Sequence, residues 1–282
     1  PGQESWPSGC GSARAGYSWN HHIWGKRFRL QRQSAVQGLW KSRLKCRKPR
    51  VLAVKVEIRR RDAAGNMGKA MMDRESAWCL LTEFTQSESL RKHALAVEAC
   101  MRACSRKFAN GSGTETSGLG LPELGLSEEE LWGIVGLIHD FDYEKYPSLE
   151  DHPYRGNEIL KERGWPEVIR RAVMSHAEYT GVTRDTPMEK ALFACDELAG
   201  FITAVALIKP GKSLPEVDAK SVRKRMKDKA FARKVNREDI VNGAAALGVD
   251  LDEHIAFCIT ALQGIAGELG LDGSAAKATT SP

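Results

Sequence analysis

The sequence has few of the paired spacings that are typical of small zinc-binding modules. It has seven cysteines, an odd number, but neither a CxxC nor an HxxxH pair. Near the N-terminus, His21 and His22 together with Cys10 or Cys46 therefore form no zinc motif. The cysteines also lack the spacing of a disulfide framework, which excludes a small disulfide-rich domain and favours a reducing compartment. We predict a cytoplasmic protein.

Long hydrophobic runs are missing as well. The longest, LWGIVGLI and LAGFITAVALI, are shorter than the roughly 20 residues that a membrane-spanning helix needs. No charged, then apolar, then small-residue secretory pattern opens the chain. We therefore expect a soluble protein that has no membrane partner.

One apolar segment carries an isolated carboxylate, Asp196. Its sequence, TPMEKALFACDELAGFITAVALI, begins with Thr186 as a helix N-cap, Pro187 as the first helical residue and Glu189 as the other half of a capping box. On the predicted helix, Asp196 shares its face with small and apolar residues, where an ionised group is costly unless it is paired or bound to metal. The helix therefore predicts a buried polar site.

Two earlier segments bring further polar residues to helices. In SESLRKHALAVEACMRACSRKF, an apolar stripe with helical spacing runs beside His93. A second capping box, Ser127 and Glu130, opens the helix LWGIVGLIHD, so that His139 and Asp140 stand at the end of an almost wholly apolar helix. These residues are predicted to face one interior with Asp196.

Two more histidines lie between Asp140 and Asp196. His152 falls in the turn FDYEKYPSLEDHP, and His176 extends the apolar stripe of a helix that begins at Pro166. Taken alone, the first is also compatible with an ordinary loop residue and the second with a helix cap. Imidazole and carboxylate together are a usual ligand set for Zn, Fe, Mn, Co or Ni.

With these residues in place, the chain resembles the HD superfamily of metal-dependent phosphohydrolases from about residue 71 to 271. The similarity extends beyond the order of the ligands to the segments SLRKHALAVEACMRA, LWGIVGLIHDFDYEKYP, RGNEIL, MEKALFACDELAGFI and KDKAFARKVNREDI. These are similar to a bacterial and archaeal subgroup described only as HD or HDIG domain proteins. The resemblance implies an all-α fold, the HD-domain helical bundle, with additional C-terminal helices.

The resemblance also implies a metal site. By position, His93, His139, Asp140 and Asp196 would hold a first divalent ion, either a transition metal or Mg. In the dinuclear branch, Asp140 would bridge to a second ion that is also bound by His152 and His176. The ions would activate a water as hydroxide for attack on a phosphoester, with Asp140 as a catalytic residue. The expected substrate is a nucleotide or another small phosphorylated molecule.

The residues that follow the His-Asp pair depart from better-known branches of the superfamily. Phe141, Asp142 and Tyr143 stand where cyclic-dinucleotide phosphodiesterases carry Ile, Gly and Lys, which disfavours that substrate. Other branches place a catalytic Glu near position 143. Here Glu144 is a weaker candidate for the acid or base. Arg155 and Lys145 are weak candidates for phosphate contacts, against a default of solvated surface charge.

The two ends differ from the middle of the chain. Residues 1–70 include the basic run KSRLKCRKPR and fall outside the resemblance, so we interpret them as a poorly ordered or artefactual extension in which only VLAVKVEI looks structured. Residues 109–125 are rich in Gly, Ser and Thr and predict a flexible loop. Residues 272–282 are small and polar and predict a flexible tail.

Basic residues are concentrated locally. The net charge is +6, and residues 222–234, VRKRMKDKAFARK, predict a basic helical stretch that precedes an N-cap at Asn236 and a helix ending near Gly248. Such a stretch is usually a solvated face, while a wall that steers anionic substrates is the main alternative. Nucleic acid is a less favoured partner, since no binding motif accompanies it. The competing function is a non-catalytic, metal- and nucleotide-binding regulatory protein.

Overall fold

Helices form the whole framework of the described chain. The computed structural model describes residues 72–108 and 125–274, which contain ten α-helices, two 3-10 helices and no β-strand. In chain order the α-helices are α1 (Arg74–Phe84), α2 (Glu88–Phe108), α3 (Glu128–Ile138), α4 (Tyr154–Glu162), α5 (Glu167–Ser175), α6 (Pro187–Leu207), α7 (Ala219–Met226), α8 (Arg237–Leu247), α9 (Leu251–Gln263) and α10 (Ala266–Leu269). The predicted all-α fold class is confirmed.

The predicted helix starts are confirmed by their hydrogen bonds. At α3, the Ser127 hydroxyl accepts from the backbone N–H of Glu130, whose carboxylate accepts in return from the N–H of Ser127. Thr186 and Glu189 form the same capping box at α6. Asn236 caps α8, which ends at a left-handed Gly248. Helix α5 begins one residue after Pro166. Local sequence thus sets the boundaries of the helices that carry the site.

The core lies where α2, α3 and α6 pack together. The inner face of α3 is fully apolar, and Leu131, Ile134 and Leu137 are completely buried. Gly136 permits the close approach of α2, since a Cβ at this position would lie 3.0 Å from the carbonyl oxygen of Val97. This packing fixes the ends of α2 and α3 relative to the middle of α6.

The basic stretch departs from its predicted form. Helix α7 ends at Met226, and residues 227–235 form turns and bends instead of a helix, so the prediction of one helical stretch over residues 222–234 is wrong. Asp228 causes the break because its carboxylate accepts from the backbone N–H groups of Ala230 and Phe231, an alternative to helical bonding. The Arg237 guanidinium then holds the turn by donating to the carbonyl oxygen of Ala232.

Three predictions fall wholly or partly outside the described residues. These are the extension over residues 1–70 with its segment VLAVKVEI, almost all of the loop over residues 109–125, and the tail from residue 275 onwards. The residues that precede position 275 are anchored: the carbonyl oxygen of Leu271 accepts from the N–H of Leu214, and Asp272 bridges to Ser213. Within the described segments, no helix is both long and apolar enough to cross a membrane.

Candidate metal centre

Four predicted ligands come from the three packed helices. His93 lies on α2, His139 caps the C-terminus of α3 with Asp140 directly after it, and Asp196 lies in the middle of α6. His139 is completely buried, whereas the side chains of His93 and Asp196 are 22% and 18% exposed. The cluster is therefore closed to solvent on the side of His139 and open to solvent on the side of His93 and Asp196.

The first ligand group converges on a small volume. Asp196 Oδ1 lies 3.0 Å from His93 Nε2 and 3.3 Å from His139 Nε2. Asp140 Oδ2 lies 3.5 Å from the same His139 nitrogen. Although carboxylates are near, the buried His139 Nε2 has no hydrogen bond of acceptable geometry within the described chain. A buried polar atom without such a bond is costly, and a bound cation would satisfy it.

The second ligand group lies on the other side of Asp140. Its Oδ1 is 3.1 Å from His152 Nε2 and 3.3 Å from His176 Nε2, and these two nitrogens are 3.3 Å apart. His152 precedes a cis peptide bond to Pro153, and His176 caps the C-terminus of α5. The structure thus brings together five of the predicted metal ligands in two groups that share Asp140, and the sixth, Asp196, lies against His93 and His139 of the first group.

Backbone carbonyl groups orient two of the imidazoles through their outer nitrogens. Nδ1 of His139 lies 2.8 Å from the carbonyl oxygen of Gly136, and Nδ1 of His176 lies 2.5 Å from that of Val173. Because a carbonyl can only accept, each Nδ1 carries the proton and donates it, which leaves Nε2 of a neutral ring free to bind an ion. Metal-bound histidines in proteins are held in this way.

A carboxylate orients the ring of His152. Nδ1 of His152 donates to Asp142 Oδ1 over 2.8 Å, while Asp142 Oδ2 accepts from the backbone N–H of Gly156 over 2.8 Å. Residue 156 has to be glycine here, since a Cβ would lie 2.7 Å from the Asp142 carboxylate. The Tyr179 hydroxyl adds a bond to the carbonyl oxygen of His152. The position of His152 is therefore set by hydrogen bonds to Asp142 and Tyr179, and Gly156 in turn holds the Asp142 carboxylate.

The close packing of imidazoles and carboxylates shifts their pKa values. Burial lowers the pKa of His139, but Asp140 and Asp196 outweigh it and hold that pKa well above its usual value. For His152, burial is likewise outweighed by hydrogen bonds to Asp140 and Asp142, which raise the pKa to about 9. The histidines in turn hold the pKa values of Asp140 and Asp196 below the usual range, against the effect of burial. Protons therefore compete with metal for the imidazoles.

The remaining predicted site residues have partners outside the cluster. The Glu144 carboxylate accepts from the backbone N–H groups of Gln86 and Ser87, where the chain enters α2. The Lys145 ammonium lies 4.6 Å from the centre of the Phe84 ring. Arg155 is exposed and forms ion pairs with Asp151 and Glu158 in its own segment. Neither of these carboxylates is a candidate metal ligand.

Sequence reasoning missed several neighbours of the cluster. In the sequence Asp142 marks only a departure from other branches, whereas in the structure it orients the ring of His152. The Tyr143 ring packs edge-on against the His152 ring, with centroids 5.3 Å apart. Burial raises the pKa of Glu197 to about 8, and the charge of Asp196 adds to this effect. The sequence offers only a local signal, since Asp142 follows Asp140 by two positions and Glu197 directly follows Asp196. The contacts of these residues depend on the tertiary fold.

No protein-family model, curated protein or solved structure matches the chain. The chemistry of the site is therefore inferred from its geometry. Nitrogen and oxygen donors from six residues face each other, the outer nitrogens of three of the four imidazoles are hydrogen-bonded, and one buried Nε2 has no proper hydrogen bond. This arrangement fits divalent cations.

Proposed function

We propose that this chain is an HD-type metal-dependent phosphohydrolase with a two-ion site. The observation that carries the proposal is the position of Asp140, whose two carboxylate oxygens face different ligand groups. Oδ2 faces His139, and Oδ1 faces His152 and His176. A carboxylate placed between two sets of imidazoles is suited to bridging two cations, and paired ions are typical of enzymes that displace groups at phosphorus.

The ligand chemistry favours transition metals. Four of the six ligand candidates are imidazoles and two are carboxylates, while Mg²⁺ prefers carboxylate, phosphate and water oxygens. Mn, Fe, Co, Ni and Zn are therefore the preferred ions. The resident metal is to be identified by metal analysis of the purified protein.

The protein's own contribution is geometry and charge. Asp140 and Asp196 supply negative charge that offsets bound cations, and the carbonyl oxygens of Gly136 and Val173 hold two imidazoles with Nε2 directed inward. When bound, such ions lower the pKa of a coordinated water, so that hydroxide is available as a nucleophile near neutral pH, and they also neutralise charge on the phosphoryl oxygens. The partly exposed side of the cluster, at His93 and Asp196, offers a phosphoester a route to the ions.

The substrate proposed is a nucleotide or a similar small phosphorylated molecule. Arg155 and Lys145 remain candidates for phosphate contacts, but Arg155 would have to exchange its pairs with Asp151 and Glu158 for the phosphate. Glu144 would have to leave the two backbone N–H groups that it accepts from before it acted as a proton donor. These partners favour an anchoring role for Glu144 at the start of α2.

A panel of nucleotides and generic phosphoesters, each assayed with Mn, Mg, Co, Ni and Fe, tests the function. We expect metal-dependent phosphate release by the wild-type protein and none by Asp140→Ala, whereas exposed Glu150→Ala should behave as wild type. Metal binding without turnover across the panel would contradict a hydrolase. Nucleotide binding without turnover would point instead to a regulatory protein that retains the metal cluster.

A further inference from the structure

A second cluster of metal-binding side chains lies where α2, α6 and α9 pack. Cys100 and Cys104 are one turn apart on α2, His254 and Cys258 are one turn apart on α9, and Cys195 lies on α6. All five are buried, and all four cysteines are reduced. None of them belongs to the His/Asp cluster described above.

The ligand atoms are close to one another. Those of Cys195, His254 and Cys258 all lie within 4.8 Å of each other. Cys258 Sγ is 3.7 Å from His254 Nε2, and Cys104 Sγ is 3.6 Å from Cys195 Sγ. The Cys100 thiol interacts with both Cys195 and Cys258. Helices α6 and α9 thus present three donor atoms to one buried point, and the Cys104 thiol of α2 lies beside Cys195.

We propose that Cys195, His254 and Cys258, completed by a thiol of α2, form a structural zinc site. In a tetrahedral site with Zn–S of about 2.3 Å and Zn–N of about 2.0–2.1 Å, neighbouring donor atoms are about 3.5–3.8 Å apart. The separations of 3.6 and 3.7 Å already match that spacing. The remaining pairs within the 4.8 Å limit need only small side-chain movements.

The charge and the burial of the thiol cluster favour a bound zinc ion over a cluster that is held only by apolar contacts. Three thiols that lose their protons on binding and one neutral imidazole leave the completed zinc site with one net negative charge, a smaller buried charge than that of the isolated ion. Thiolate ligands select zinc over the harder ions that suit carboxylates. The thiol cluster therefore disfavours Mn²⁺, which the nitrogen and oxygen donors of the His/Asp cluster can accept.

Zinc binding at His254 would break one existing hydrogen bond. His254 Nε2 lies 3.1 Å from the carbonyl oxygen of Ala194. Ala194 lies inside α6, where its carbonyl also accepts the intrahelical N–H bond from Leu198, so the loss of the imidazole leaves this oxygen satisfied. Zinc would replace that hydrogen bond with a stronger link between α6 and α9.

The location gives the ion a structural role. Helices α2 and α6 carry His93 and Asp196 of the first ligand group, and zinc at Cys195 would tie both helices to α9. The inference is independent of the proposed hydrolase, because the thiol site needs neither the His/Asp ions nor a substrate.

Cobalt(II) substitution distinguishes the two clusters, since only thiolate ligation gives an intense near-ultraviolet charge-transfer band. The experiment uses the full chain with Asp140→Ala, to weaken the His/Asp cluster, and with Cys10→Ser and Cys46→Ser, to remove the N-terminal thiols. We expect one equivalent of cobalt per chain to produce the thiolate band, and zinc to abolish it by displacement. Absence of the band at saturating cobalt would overturn the proposal.

Cysteine variants in that background locate the ligands. Cys195→Ser with Cys258→Ser should remove the band, while exposed Cys79→Ser on α1 should retain it. A band that persists in the double variant would overturn the assignment. Because that variant could fail to fold, the wild-type protein is also alkylated with and without zinc at one fixed urea concentration. Zinc should protect Cys195 and Cys258 but not Cys79, and equal labelling would contradict the site.

Discussion

The two halves of the His/Asp cluster are built differently. His93 and Asp196 project from α2 and α6, each 21 residues long, and His139 ends the apolar helix α3. In the other half, His152 lies in a turn and His176 ends α5, a helix of only nine residues. Core packing positions the first half, whereas the second half depends on hydrogen bonds.

This difference has consequences for the response of each half to mutation. A ligand on a long, well-packed helix keeps its place when a neighbouring polar group is lost, because the core holds the backbone. His152 has no such support; Asp142 and Tyr179 hold its ring and its carbonyl. The second ion is therefore expected to be the more easily lost, and the predictions below test this asymmetry.

The largest effect is expected at Asp140, which belongs to both halves. Asp140→Ala should remove both ions and lower any phosphoesterase activity by more than about 100-fold, since even outer ligand partners contribute about 10–100-fold. Asp196→Ala should remove the first ion with a comparable loss of activity. Helical content should change little in either variant. Metal analysis after purification and circular dichroism check this, and a wild-type metal content in both variants would contradict the assignment.

The next largest effect is expected from variants that remove a ligand from only one half of the cluster. His152→Ala and His176→Ala each remove a ligand of the second group only, so the number of ions bound by the His/Asp cluster should fall from two toward one. His93→Ala should instead weaken the first ion. Metal stoichiometry from titration calorimetry measures these changes, and an unchanged value in either second-group variant would indicate a single-ion site.

A smaller effect is expected from Asp142→Asn. The amide still offers one acceptor, but it cannot reproduce both bonds of the carboxylate, to the His152 ring and to the backbone of Gly156. We expect the second ion to bind about 10–100-fold more weakly, with the first unaffected. Competition with a chelator measures both affinities, with Asp151→Asn as the control. Equal weakening of both ions would show that the halves are not independently supported.

The smallest effect is expected at the basic segment. If Lys224, Arg225 and Lys227 attract anionic substrates, the triple change to Gln should lower kcat/KM by at most about tenfold at low ionic strength and flatten its salt dependence. Metal content should not change. Steady-state assays across ionic strengths check this. An unaltered salt dependence would indicate a solvated face, and a selective loss of RNA or DNA affinity would indicate a nucleic-acid contact.

Local sequence patterns predicted the helical frame of the first half well. Capping residues such as Ser127 and Thr186 act within one turn, so they fix helix starts whatever the tertiary fold, and the stripe beside His93 follows helical periodicity. Features that depend on distant residues were not predictable in this way. Glu144 bonds to Gln86, 58 positions away, and residues 227–235 turn because of side chains that compete with helical bonding.

The thiol cluster could be predicted from the sequence only in part. The spacing of Cys100 with Cys104 and of His254 with Cys258 places each pair on one helix face, and this much can be seen in the sequence. That both pairs meet at Cys195 depends on how α2, α6 and α9 pack. Helix faces follow from the sequence, but the partner of each face is a property of the fold.

Manganese loading of the wild-type protein tests the two-ion site most directly. Mn²⁺ prefers nitrogen and oxygen donors, so it counts the His/Asp ions without the thiol cluster. We predict two Mn²⁺ per chain, with an exchange-coupled electron paramagnetic resonance spectrum from ions bridged by Asp140. A single Mn²⁺ with an isolated-ion spectrum, or no specific binding, would contradict the account.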